Sequence, residues 1–176
     1  MTKDELRKYI RMTKGMYNAA QLSEQSVEVI DRLRSHPVFA RAQTVLMYYS
    51  LDDEVDTHAF IDELVAQGRD VLLPVVLNDE SMELRRYTGK DDLLGGFFNI
   101  MEPIGEVFYD YDMIDVAVVP GMAFDSNGCR LGRGKGYYDR LLPLLTRAYL
   151  IGICFPFQHV PGVPAEEHDI RMDEIV

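Results

Sequence analysis

The sequence contains no tryptophan and only two cysteines in 176 residues. Cys129 and Cys154 lack metal-ligand spacing and are too few for a disulfide framework, so they are read as free thiols of a reducing compartment. No stretch approaches the ~20 consecutive apolar residues of a membrane helix. The opening MTKDELRKYIRM carries a charge every few residues, where a signal peptide would have an apolar core. A cytoplasmic protein with no membrane partner is expected. Positive charge is also scarce: 18 Lys and Arg stand against 29 Asp and Glu, a formal net charge of −11. A protein that lives on nucleic-acid phosphates normally presents a basic face, so nucleic acid is excluded as a main partner. A small anion held in one local basic pocket remains compatible with that charge. Internal repeats and low-complexity tracts are absent as well.

What is present suits a soluble globular protein: 47% apolar and 27% charged residues. The length predicts one domain over residues 1–176. It leaves the oligomeric state open and is compatible with a monomer. Two helices are expected in the first 36 residues. TKDELRKYIRMTKGM starts from Thr2 as N-cap and ends near Gly15. SEQSVEVIDRLRSHP starts from Ser23 and stops before Pro37, with Val27, Ile30 and Leu33 as its apolar stripe.

An alternation follows. TVLMYYS (44–50) reads as a strand, THAFIDELVAQ as a helix capped by Asp56 and ended by Gly68, and DVLLPVV (70–76) as a second strand. That order makes a βαβ unit with a parallel pair. ELRRYTG (83–89) reads as an antiparallel or edge strand, and DDLLGGFFNIMEPIGE (91–106) as a long loop folding over a site. DVAVVPGMAF (115–124) is a buried strand running into a loop. DSNG (125–128) is turn chemistry. YYDRLLPLL (137–145) looks helical, with Pro143 placed to break it. AYLIGICF (148–155) is another buried strand, and a short strand closes the tail. The sum is a three-layer α/β/α sandwich around a mostly parallel open sheet, whose ligands bind beyond the carboxyl ends of the strands. SLDDE, the glycine loop after DVAVVP, and FPFQHVP all leave strands at that end.

The glycine loop sits in RLGRGKGYYD (130–139). Gly132, Gly134 and Gly136 alternate with Arg133, Lys135 and Tyr137. Glycine permits positive φ and close backbone approach to a ligand, and exposed N–H groups there form an anion cradle. Arg130, Arg133 and Lys135 add full charges. The stretch does not match the Walker pattern, because Gly136 follows Lys135. It does not match G-x-G-x-x-G either, because Gly132 and Gly134 lead to Tyr137. A P-loop NTPase and a dinucleotide dehydrogenase are therefore set aside.

PGMAFDSNGCRLGRGKGYYDRLL resembles the signature of the 5-formyltetrahydrofolate cyclo-ligase (5,10-methenyltetrahydrofolate synthetase) family. Lys3 and Arg7 match its N-terminal K-x-x-x-R. Ser50, Asp53 and Glu54, followed by Val55 and Thr57, match its strand-end S-x-x-D-E. NIMEPIGE and the tail P-x-x-E-H-D fit too, so the matches run collinearly from residue 3 to the tail. The resemblance implies a Rossmann-like (CoA-transferase-like) fold. It also implies ATP-dependent closure of 5-formyltetrahydrofolate to 5,10-methenyltetrahydrofolate, with ADP and phosphate as the other products. ATP and Mg²⁺ are the implied cofactors.

By the same resemblance, Lys3, Arg7, Arg130, Leu131, Gly132, Arg133, Gly134, Lys135, Gly136, Tyr137 and Tyr138 bind ATP. Arg7, Tyr49, Glu54 and Arg133 through Tyr137 reach the folate. Lys135 or Arg133 stabilises the transferring phosphoryl group, and Asp139 and Asp169 hold the metal. A carboxylate at Glu54 can accept the paired donors of a pterin, and Phe97, Phe98 and the NIMEP loop are candidate walls for it. Tyr137 and Tyr138 divide among adenine, pterin and the protein core. Two rival readings keep the fold: a noncatalytic nucleotide or folate binder, and an ATP-dependent enzyme for another formamide.

Overall fold

A computed structural model describes residues 1–95 and 101–176. The helices are α1 (Lys3–Lys14), α2 (Ala19–Ser35), α3 (Pro37–Arg41), α4 (His58–Ala66) and α5 (Tyr137–Leu141). The strands are β1 (Thr44–Leu46), β2 (Asp70–Val76), β3 (Met82–Tyr87), β4 (Leu93–Gly95), β5 (Met101–Pro103), β6 (Val107–Phe108), β7 (Val116–Val119), β8 (Ala123–Phe124), β9 (Arg130–Leu131), β10 (Tyr149–Gly152) and β11 (Glu174–Ile175). Seven of them form one sheet in the order β11-β10-β7-β1-β2-β3-β6. The first five in that order are parallel; β3 and β6 are each antiparallel to their neighbours. Two small hairpins, β4–β5 and β8–β9, stand outside it.

Alternation along the central strands builds the layers, because successive strand side chains point to opposite faces. Val45, Val71, Leu73, Val116, Val118 and Ile151 pack with Leu33, Phe39, Phe60, Ile61 and Leu64 of α2, α3 and α4. Leu46, Leu72, Leu84, Ala117, Val119 and Leu150 face the other way, onto Phe124, Leu141, Leu142 and Leu145. Each fully buried aliphatic side chain contributes roughly 1.5–3 kcal/mol. A third cluster joins Leu6 and Ile10 of α1 to Met122, Ala123, Cys129, Leu131, Val160 and Val163. Helix α1 thus packs on the β8–β9 hairpin, which places its polar face beside the loop after β9.

Several boundaries differ from the sequence expectation. Helix α2 begins earlier: Asn18 is its N-cap, in a reciprocal capping box with Gln21, and Ser23 lies inside the helix. Its buried stripe is Val29, Ile30 and Leu33, whereas Val27 is 58% exposed. Asp56 accepts from the His58 N–H at 3.0 Å, one residue before the N-cap position Thr57. Strand β3 is antiparallel, one of the two alternatives expected, and is not an edge, because β6 covers its outer side. The segment expected as an irregular loop contains β4–β5, with Leu93 opposite Pro103; Phe97, Phe98 and Asn99 lie outside the described residues. Pro143 limits α5 to five residues, followed by a 3-10 turn. Cys129 and Cys154 are buried and unpaired. Among the described residues no helix is long and apolar enough to cross a membrane.

Candidate active site

Strand order reverses between β1 and β7: β2 lies on one side of this pair and β10 on the other. The crevice beyond such a switch point is where open α/β sheets bind ligands. A cavity of about 360 Å³ opens there. Tyr48, Tyr49, Leu51 and Glu54, which follow β1, wall it together with Pro120 and Gly121, which follow β7. Strand β2 contributes Pro74 and Val76. Strand β1 pairs only as far as Leu72, so Pro74 sits beyond the last β1 rung, where a missing N–H breaks no ladder on that side. The glycine loop closes the remaining wall with Arg130, Gly132, Arg133, Lys135, Gly136, Tyr137, Tyr138 and Asp139.

Within that loop Gly134 has φ 101° and Gly136 has φ 71°, a region that L side chains enter at a cost. The Gly132 carbonyl accepts from Arg7 Nε at 3.0 Å, and a Cβ on Gly134 would lie 3.6 Å from the Arg7 guanidinium. Arg7 therefore braces the loop from α1. On the far side Arg140 donates to the Lys135 carbonyl at 3.0 Å, and Tyr137 Oη donates to the Asn78 carbonyl at 3.0 Å.

The cations are matched to carboxylates. Arg133 reaches Asp53 at 2.7 Å and Glu54 at 3.0 Å. Burial disfavours its charge, but those two carboxylates outweigh burial and hold its pKa above the ordinary value. Glu54 has its other oxygen on the Leu51 N–H at 2.9 Å. Asp53 also accepts from Lys14; burial pushes its carboxyl up, and Arg133 and Lys14 together bring it below the usual range. The Arg130 side chain is 5% exposed and donates to the Pro120 carbonyl at 3.1 Å and to Asp139 at 2.9 Å. Its Nε is buried with no partner among the described residues, and its guanidinium lies 5.4 Å from the Tyr138 ring centre. Lys3 pairs with Asp169 at 2.9 Å and Glu166 at 3.4 Å. Asp169, Glu166 and His168 hold ligand atoms within 4.8 Å of one another, a grouping that fits a metal ion.

The expected site residues thus fall into two places. Tyr49, Glu54, Arg130, Gly132, Arg133, Lys135, Gly136, Tyr137, Tyr138 and Asp139 line one cavity, with Arg7 and Gly134 at its loop. Lys3 and Asp169 meet each other outside the cavity lining, and Asp139 is not part of the Asp169 cluster. Leu131 turns its side chain into the cluster under α1 and offers its carbonyl to the Met122 N–H at 2.7 Å. Tyr138 packs against the core, and burial raises its pKa well above the ordinary value. Tyr137 is half-buried too, with Arg140 over its ring.

Three contributors were not singled out from the sequence. His58 stacks on Tyr49 with ring centres 3.7 Å apart. Tyr48 is buried in the cavity wall. Glu102, the acid between Met101 and Pro103, enters the cavity from β5. The sequence had offered the NIMEP loop as a candidate wall for the pterin without singling out its acid.

The family model described as the 5-formyltetrahydrofolate cyclo-ligase family matches residues 1–176. The Escherichia coli (strain K12) 5-formyltetrahydrofolate cyclo-ligase is 30% identical, over 95% of this chain and 95% of that one. The Mus musculus 5-formyltetrahydrofolate cyclo-ligase is 27% identical, over 97% and 91%. Among solved structures, the Aquifex aeolicus 5,10-methenyltetrahydrofolate synthetase superposes with a TM-score of 0.87 at 35% identity, covering 99% of this chain and 89% of that one.

Proposed function

The chain belongs to the 5-formyltetrahydrofolate cyclo-ligase family, and from that membership we propose that it uses Mg·ATP to close 5-formyltetrahydrofolate to 5,10-methenyltetrahydrofolate, releasing ADP and phosphate. The observation that carries this reading is Arg133: from the phosphate-type loop it reaches Glu54 at 3.0 Å in the wall after β1. A nucleotide on the loop and a folate beside Glu54 would share one cavity.

The chemistry explains why such a junction is needed. The N-5 formyl group is an amide, so its carbon is a weak electrophile and its oxygen a poor leaving group. Attack of the formyl oxygen on the γ-phosphorus breaks the bond to ADP and makes that oxygen a phosphate ester. N-10 then attacks the activated carbon, loses its proton, and phosphate departs with the former formyl oxygen. Catalysis of the first step rests on positioning and charge neutralisation. Lys135 and Arg133 are assigned the transferring phosphoryl group. Lys3, Arg7, Arg130 and the backbone of 130–138 are assigned the rest of the nucleotide. Tyr49, stacked on His58, and Glu54 are assigned the folate.

Asp139 and Asp169 are the carboxylates to hold Mg²⁺, which prefers one or two carboxylates with phosphate oxygens and water. Asp169 fits, standing with Glu166 and His168 in one group of ligand atoms, its carboxyl pushed up by burial but held below the usual range by Lys3 and the Glu166 N–H. Asp139 stands apart from that group, in the cavity wall on Arg130, and would join it only through the bound nucleotide's metal. When bound, the metal would neutralise phosphate charge. The buried, unpaired thiols Cys129 and Cys154 fit a cytoplasmic enzyme.

The test is direct. Protein mixed with Mg·ATP and 5-formyltetrahydrofolate is expected to generate the near-ultraviolet band of the methenyl product, with one ADP per turnover. Tight binding of both ligands with no band would make the protein a noncatalytic binder. No band and no folate binding would end the proposal.

A further inference from the structure

Of the three carboxylates in the cavity, Glu54 is held by Arg133 and Asp139 by Arg130, whereas among the described residues no arginine holds Glu102. Strand β5 lies against β2 and β3 and carries Glu102 into the cavity wall. The residue is only 7% exposed. Residues Leu73–Val76 run on past the end of β1, and the Val76 N–H donates to Glu102 Oε1 at 2.9 Å rather than to a strand. Among the described residues no cation lies within ion-pair distance of Glu102, and no hydrogen bond reaches its Oε2. Burial consequently holds its pKa above the ordinary range, the one opposing influence being the Val76 N–H.

Oε2 keeps access to the cavity, and an enclosed carboxylate becomes costly if a ligand covers that oxygen without giving it a donor. Pro74, Val76, Met82 and Met101 line the same cavity and have no side-chain donor to offer. Retaining an acid there makes physical sense when a ligand supplies the missing donors. Glu54 is in a different position: both its oxygens already accept, from Arg133 and from the Leu51 N–H. Glu54 would thus meet the folate with a donor already on each oxygen, and Glu102 has the open oxygen.

We infer that Glu102 is a specificity-determining residue: its Oε2 accepts N–H from the donor edge of the substrate's pterin, where an exocyclic amino group stands beside a ring N–H, while Val76 fixes the carboxylate through Oε1. The inference rests on the folate reading of this cavity. It adds to Tyr49 and Glu54 the group that reads the ring's donor edge, as distinct from the groups that handle phosphate. A site built to accept donors rejects a ligand lacking them, because the acceptor is then buried unpaired.

The experiment compares two ligands on each protein: 5-formyltetrahydrofolate and its analogue without the exocyclic amino group, by direct binding. Wild-type protein is expected to prefer the natural ligand by roughly 10–100-fold, the range for one lost charged hydrogen bond. Glu102→Met should bind both ligands alike, within about twofold, with ATP affinity unchanged. Glu102→Gln keeps an acceptor for the Val76 N–H and should recover part of the discrimination. Because each variant serves as its own reference, loss of stability does not mimic the result. Equal discrimination in wild type and Glu102→Met overturns the role of Glu102 and leaves the proposed reaction standing. Failure of wild-type protein to bind 5-formyltetrahydrofolate overturns both.

Discussion

Asp125 shows how much a single side chain carries. It is 2% exposed, and its carboxylate accepts from the N–H groups of Asn127 at 2.9 Å, Cys129 at 3.0 Å and Val163 at 2.8 Å. Burial pushes its pKa up, but the three backbone donors win and hold it below the usual range. The folded-state pKa is therefore depressed. Its contribution is complete above the unfolded value, about 4, and is lost as pH falls through the folded value. Asp125→Asn should cost about 1–3 kcal/mol at neutral pH, since an amide cannot satisfy donors on both sides. The variant should also lose less stability than wild type on acidification below about pH 4. Equal neutral-pH stabilities in urea titrations would contradict this. The DSNG turn was legible from composition. The bond to Val163 was not, because it joins residues 38 apart and local turn chemistry says nothing of distant partners.

At the scale of elements, periodicity found what is regular and missed what is interrupted. Strand β2 has the bounds expected from DVLLPVV, a continuous apolar run buried on both faces. Strand β1 is shorter than TVLMYYS because the chain leaves the ladder after Leu46 to form the cavity wall. Hydrophobicity alone does not separate a paired residue from one lining a crevice. Asn18 was overlooked because Ser23 also begins a plausible helix; the deciding feature is the capping box with Gln21. The glycine loop carries a prediction of its own. Lys135 lies between Gly134 and Gly136, whose backbones have positive φ, so its placement depends on the loop. Lys135→Ala should leave the melting temperature within a few degrees and lower kcat by about 10²–10³-fold. A kcat near wild type would remove Lys135 from the phosphoryl role.

For the molecule as a whole, the layered fold followed from the strand–helix alternation, but the charge arrangement did not. An acidic chain was expected to set aside cations for phosphate. The structure instead balances those cations locally: Lys3 with Asp169, Arg130 with Asp139, Arg133 with Asp53 and Glu54. Opposite charges in a half-buried site must be compensated when no ligand is there. In the proposed reaction the partners exchange, since Mg²⁺ would compete with Lys3 and Arg130 for the aspartates and phosphate would compete with the aspartates for the cations. Each ligand would release the groups that the other needs, which is a reciprocal coupling. Mg²⁺ should therefore bind at least roughly tenfold more tightly when a nonhydrolysable ATP analogue is present than its affinity for that analogue in buffer explains. Calorimetry on both mixtures reads this, and independent binding would exclude the exchange.

Helix α1 docks its Leu6 and Ile10 on Leu131, Val160 and Val163. During synthesis this helix leaves the ribosome long before its docking surface does. At ~5–20 residues per second, the wait for Leu131 is on the order of ten seconds. Throughout that interval Leu6 and Ile10 lack the surface they pack on in the finished fold, which makes this segment a natural target for a holding chaperone when translation stalls.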